Sequence, residues 1–84
     1  MAILNYVRQT AQSVSVTYVD MPAGAGAVFH NETSGTDTPA QNGALGPGSG
    51  PADIAIPKLP GGQYRLRAQQ GGQFVAETVK FYIN

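Results

Sequence analysis

Apolar residues in this chain recur at every second position, in short runs bounded by glycine and proline, and in no dozen-residue window do they recur at threes and fours. Side chains two apart share one side of a strand, so this period calls for sheets with one buried and one wet face. The plainest run is SVSVTYV, residues 13–19, with Val14, Val16 and Tyr18 on one face and Ser13, Ser15 and Thr17 on the other. Eleven glycines and six prolines among 84 residues leave little room for helix. Short strands between turn residues are the mark of an all-β sandwich or barrel.

Along the chain, residues 3–7 read as an edge strand of ambiguous phase, and residues 21–26 as a turn. Residues 27–31 form a short strand with Ala27 and Phe29 on one side, Val28 and His30 on the other. Residues 33–51 carry five glycines and three prolines, with Leu45 the single larger apolar residue. This stretch is expected to be a long connection without periodicity, held at most by local turns at Asn42-Gly43 and Pro47-Gly48. Residues 53–59 resume alternation with Ile54 and Ile56 inward, and the strand must end at Pro57 or lie on an edge, because proline cannot donate to a ladder. In the final hairpin Tyr64, Leu66 and Ala68 face in, while Gln63, Arg65, Arg67 and Gln69 face out. Gln70, Gly71 and Gly72 make the turn. The last strand begins with Phe74 and Ala76 in one phase and ends with Val79, Phe81 and Ile83 in the other, which predicts a β-bulge over residues 77–79.

About seven such strands, the next-to-last opening on a tyrosine, lead to a more specific reading. The segment Leu59-Pro60-Gly61-Gly62-Gln63-Tyr64-Arg65-Leu66-Arg67-Ala68 resembles the L-x-x-G-x-Y-x-L-x-A tyrosine corner of immunoglobulin-like sandwiches, where the tyrosine hydroxyl bonds a backbone group a few residues upstream. The chain as a whole is similar to bacterial and phage immunoglobulin-like, fibronectin type III-like accessory domains. That resemblance implies structural roles for Leu59, Gly62, Tyr64 and Leu66. It puts Leu66 where antibody domains carry their second disulfide cysteine and Phe29 in place of their tryptophan, with Gly61 and Gly62 letting the chain turn under the ring. The alternative fold is a small barrel or jelly-roll fragment.

A chain of 84 residues is one domain, 1–84, and buries only about 60–65% of its unfolded surface. Without cysteine it has no disulfide or thiolate metal site to support that core. Five basic and five acidic residues cancel, which argues against nucleic acid as a partner. The start MAILNYVRQTAQ lacks the basic beginning and unbroken apolar run of a secretory signal, and no stretch approaches the roughly 20 apolar residues of a membrane helix. The chain is therefore expected to begin at its own initiator methionine, in the cytosol.

The candidate chemistry is thin. Asp20, Glu32, Asp37, Asp53 and Glu77 are scattered, and solvated surface charge is the stronger reading than a carboxylate pair. His30, alone of its kind, could share a strand face with Glu32, but a zinc site needs three or four ligands. Asp37 and loop carbonyls lack the D-x-D-x-D spacing of a calcium loop. Ser49 in GPGSG matches neither a nucleophile elbow nor a phosphate loop. Arg65 and Arg67, with Lys58 nearby, read as a solubilising strip. No catalytic residue, cofactor or metal is expected.

By elimination the sequence points to a non-catalytic structural or interaction module, with a bacteriophage virion accessory (capsid decoration or tail) as the leading expectation. Its partners would be other protein subunits, copies of itself or capsid and tail proteins, with no nucleic acid and no membrane. The alternative is a carbohydrate- or cell-surface-binding module, in the bacterial cytoplasm or at the cell surface, for which Tyr82 is the one aromatic expected to face outward. The segment 33–51 is expected to dock on the partner through Leu45, with Asn42 and Pro47 beside it. The rival reading is a slack crossover.

Overall fold

Each alternating run becomes a strand in the computed structural model, which describes all 84 residues. The strands are β1 (Ile3–Gln9), β2 (Ser13–Met21), β3 (Ala25–Asn31), β4 (Asp37–Leu45), β5 (Gly48–Ala55), β6 (Gly62–Gln70), β7 (Gln73–Glu77) and β8 (Phe81–Ile83). Three of them, in the order β1-β2-β5, form one antiparallel sheet. The other sheet runs β4-β3-β6-β7, with β8 taking over the pairing with β6 where β7 stops. The chain changes sheet after β2, β4 and β5, so the result is the expected all-β antiparallel sandwich of two sheets rather than a closed barrel. Its eight strands exceed the expected seven or so because the last strand is broken in two and the segment after β3 supplies another.

The inward phases meet as expected. Val14, Val16 and Ile54 of the small sheet pack against Ala27, Phe29, Leu66 and Ala68 of the large one, all buried in one continuous core. Ala27 lies opposite Ala68, and Phe29 opposite Leu66. Phe81 fills the remaining space, edge-on to Phe29 at 6.5 Å between ring centres and stacked on Tyr6 at 5.3 Å. Strand β5 ends at Ala55, before Pro57, and lies on the edge of its sheet, so both options open to a proline are realised.

The tyrosine corner is formed. Tyr64 is buried, and its hydroxyl donates to the Pro60 carbonyl at 2.6 Å while accepting from Asn31 Nδ2 at 3.2 Å. The role of the glycine in front of it differs from expectation. A Cβ on Gly61 would come within 3.3 Å of the Ile83 carbonyl oxygen, so this glycine makes room for the end of β8 rather than for the ring, whereas Gly62 has open space around it but turns the chain at a φ of 153°, which favours glycine. Leu59 packs half-buried against the core.

The segment 33–51 is the main correction. Most of it is strand: β4 pairs with β3 and β5 with β2, and the chain crosses between sheets at Gly46-Pro47. An edge strand draws its hydrogen bonds from the neighbour it lies on, so small and polar residues suffice, and no apolar period marks them. Opposite β3 the register of β4 slips between Gly26 and Val28, which sets residues 40–43 against Ala27 alone and turns Gln41 and Asn42 outward. Gly43 is required there, because a Cβ would stand 3.0 Å from the Ala27 backbone.

Three readings of phase also change. Met21, placed in a turn by its sequence neighbours, is buried, because β2 bulges at residues 19–20 and turns it inward, with Asp20 at a φ of 52°. The register between β6 and β7 slips at Val75, so Phe74 faces out opposite Gln69 instead of in beside Ala76. The expected switch before Phe81 does occur, but buried Thr78 precedes it and Val79 points to solvent. Thr78 holds this break: its hydroxyl accepts the Leu66 amide at 3.1 Å and donates to the Val79 carbonyl at 2.8 Å.

Candidate interaction site

The outer face of the large sheet carries most of the charge. The antiparallel register sets His30 opposite both Asp37 and Arg65, and Arg67 opposite Glu77. The side chains link in series: Asp37 to His30 Nδ1 at 2.5 Å, His30 Nε2 to Glu32 at 3.5 Å, and Glu32 to Arg65 Nε at 2.9 Å. Glu77 then takes Arg65 Nη1 at 3.2 Å and Arg67 Nε at 2.9 Å, and the Arg67 guanidinium sits over the Phe74 ring. The hydrogen bond from Arg65 holds the Glu32 carboxyl below the usual carboxylate range, and the same bond raises Arg65. The arginines are thus half-buried members of a chain of pairs, not the solubilising strip expected, while Lys58 is exposed and outside it. His30 and Glu32 do share a face. The two ring nitrogens nevertheless point to different carboxylates, and nowhere do three His, Asp or Glu side chains converge to hold a metal.

Asn42, Leu45 and Pro47 do not form a common surface. Leu45 is buried in the core beside Ala25 and cannot anchor a partner without opening that end of the sandwich. Asn42, at the outward loop of β4, reaches across to the edge of β5. Its Nδ2 donates to the Asp53 carbonyl at 3.2 Å and its Oδ1 accepts the Ala55 amide at 2.9 Å. One side-chain amide thereby occupies the place of a neighbouring peptide and closes this side of the sandwich. Of the three residues only Pro47 is exposed with its side chain uncommitted.

The opposite side is open. There β1 runs beside β7 and β8 without a backbone hydrogen bond between them. Tyr6 on Phe81 and a bond from Gln9 Nε2 to the Tyr82 carbonyl, at 2.7 Å, close only the far end. Toward the start of β1 a groove of about 380 Å³ remains, between Ala2, Leu4 and Tyr6 on one side and Ala76, Glu77 and Val79 on the other. The large apolar side chains that the fold leaves exposed are Met1, Ile3, Val7, Val19, Phe74, Val79 and Tyr82. All belong to β1 and its approach, to the β2 residue paired with Ile3, or to the β7–β8 arm. Sequence reasoning found the outward Tyr82 but placed Val79 and Phe74 inside. No residue signals the outward Val79, because Val79 in, Lys80 out and Phe81 in would satisfy the alternation equally well. Neither a protein-family model, nor a curated protein, nor a solved structure matches this chain.

Proposed function

We propose that the domain is a non-catalytic interaction module of a larger protein assembly, with a bacteriophage virion accessory role, on the capsid or tail, as its specific form. One observation carries this reading: the strands that flank the groove between β1 and β7–β8 hold most of the exposed large apolar side chains, and two of them, Ile3 and Val79, line the groove itself. Scattered exposed apolar residues are ordinary, but a gathered patch marks a surface that another molecule covers. The charged side chains of the large sheet, in contrast, are spent on one another. The resemblance of the tyrosine-corner segment to phage and bacterial accessory domains supports the virion form. The test is sedimentation of particles from the encoding source, followed by immunodetection of the chain. It is expected to travel with the particles, and Val79→Lys to shift it to the free fraction. Wild-type chain found only in the free fraction would refute the virion role.

A further inference from the structure

We infer that the groove between β1 and β7–β8 receives an extended acidic segment of the partner protein, added as a strand along β1. The inference rests on the interaction-module reading and names the partner's chemistry. Three features of the open side lead to it.

The outer edge of β1 has no neighbouring strand, and an unpaired edge is a template for main-chain hydrogen bonds. At the other lateral gap of the sandwich Asn42 already occupies the Asp53 carbonyl and the Ala55 amide of the β5 edge, whereas no side chain bridges to the edge of β1 along the groove. The groove accompanies β1 from Ala2 to Tyr6, a run that an extended strand of four or five residues, about 15 Å long, would match. Alternate side chains of such a strand would enter the groove toward Leu4, Ala76 and Val79. Those between them would join Ile3 and Val7 on the outer face. Small apolar residues such as valine suit the inward positions.

Charge decides between partners. Arg8 on β1 and Lys80, directly after Val79, are exposed and form no ion pair; Lys80 exerts only a minor pull on the more distant Glu32. The acid that lines the groove, Glu77, is held by Arg65 and Arg67, and Asp20 faces the terminal ammonium group at 3.9 Å. Arg8 lies two residues beyond Tyr6 and Lys80 directly after Val79, so each strand that lines the groove carries an unpaired cation just past it. A second copy of the chain, docked through its own β1 edge, would bring its own Arg8 and Lys80, and its one acid outside an ion pair, Asp53, lies on β5 at the far edge of that sheet. An acidic segment complements this edge. In the antiparallel arrangement, the better-bonded of the two, its acids come first and lie beside Arg8.

The probes are two synthetic peptides, EETVTVT and KKTVTVT, titrated into the isotope-labelled protein while backbone amide shifts and hydrogen exchange are followed. The acidic peptide is expected to shift and protect amides of Ile3 to Tyr6 and Ala76 to Val79, binding at least roughly tenfold more tightly than the basic one and weakening as salt rises. Arg8→Glu with Lys80→Glu, both exposed and harmless to the fold, should invert the preference. No shifts with either peptide at millimolar concentration, equal binding of both, or a dimer by light scattering with β1 amides already protected would each overturn the inference. Should the peptides fail while the chain still travels with particles, the interaction role stands and the partner uses another surface.

Discussion

Replacing Tyr64 by phenylalanine isolates the contribution of one hydroxyl to this fold. The ring stays, so no cavity forms and the packing of Leu66 and Phe81 is undisturbed. What disappears is the donor to the Pro60 carbonyl, at 2.6 Å, and the acceptor for Asn31 Nδ2, at 3.2 Å. A buried group left without its partner costs about 1–3 kcal/mol. Here Pro60 is exposed and Asn31 half-buried, so water can reach both in part, and the lower half of that range, about 1–2 kcal/mol, applies. For a domain of this size each kcal/mol moves the melting temperature by about 4–8 °C, so Tyr64→Phe should melt about 4–16 °C lower. Calorimetry or circular dichroism reads the shift, and urea titration should show an unchanged slope with a lower midpoint. The Asn31 share can be separated by a double-mutant cycle with Asn31→Ala, although Asn31 Oδ1 also accepts the Thr33 and Ser34 amides and its loss carries a cost of its own. A Tyr64→Phe protein that melts within a degree of wild type would show that the corner hydroxyl does not hold the turn before β6.

Thr78→Val keeps the side-chain shape but leaves the Leu66 amide without its acceptor in the core, and should cost about 1–3 kcal/mol in thermal or chemical denaturation; a neutral result would mean that the β7–β8 break is held by packing alone. Leu45→Ala should destabilise by about 2–5 kcal/mol, as expected of a core leucine, whereas a surface anchor could be truncated with little change in melting. The Glu32–Arg65 pair makes stability depend on pH. Because the folded carboxyl titrates below its ordinary value, its contribution is complete above the usual carboxylate range and is lost as pH falls through the lowered value. The stability gap between wild type and Arg65→Gln should therefore narrow on acidification from pH 7, and a gap that stays constant would contradict the assignment.

The part of this fold that was legible in the sequence is the part where burial alone selects the residue. In the runs Val14-Val16, Ala27-Phe29 and Tyr64-Leu66-Ala68 every second side chain enters the core, and the alternation shows it. Strand β4 was illegible because it is held by β3 and not by its own side chains: Asp37, Thr38, Pro39 and Ala44 pair through the backbone and leave Leu45 as the one deeply buried side chain. The charged series on the large sheet was hidden for another reason. His30, Asp37, Arg65 and Glu77 are far apart in sequence, and only the pairing of β3 with β4 and β6, and of β6 with β7, brings them together.

The candidate surface was lost to the same physics that creates it. A slip of one residue moves every later side chain of a strand to the opposite face. Such slips occur at Val7 in β1, at residues 19–20 in β2, at Val75 in β7, and between Thr78 and Phe81. Val7, Val19, Phe74 and Val79 each stand at one of these slips or next to it, and each is exposed. Strict alternation would have carried Phe74 inward beside Ala76; the extra residue turns it outward, and the slip after Thr78 leaves Val79 and Lys80 both facing solvent. The period shows that a slip must occur between Ala76 and Phe81, because residues five apart cannot share a face in strict alternation, but several positions satisfy that requirement equally. The one used is where Thr78 holds Leu66 from both sides, its amide donating to the Leu66 carbonyl at 3.0 Å and its hydroxyl standing in for the ladder bond from the Leu66 amide. The exposed apolar edge and the break in the sheet are therefore one feature, and a variant that repairs the pairing at Thr78 should also withdraw Val79 from the surface.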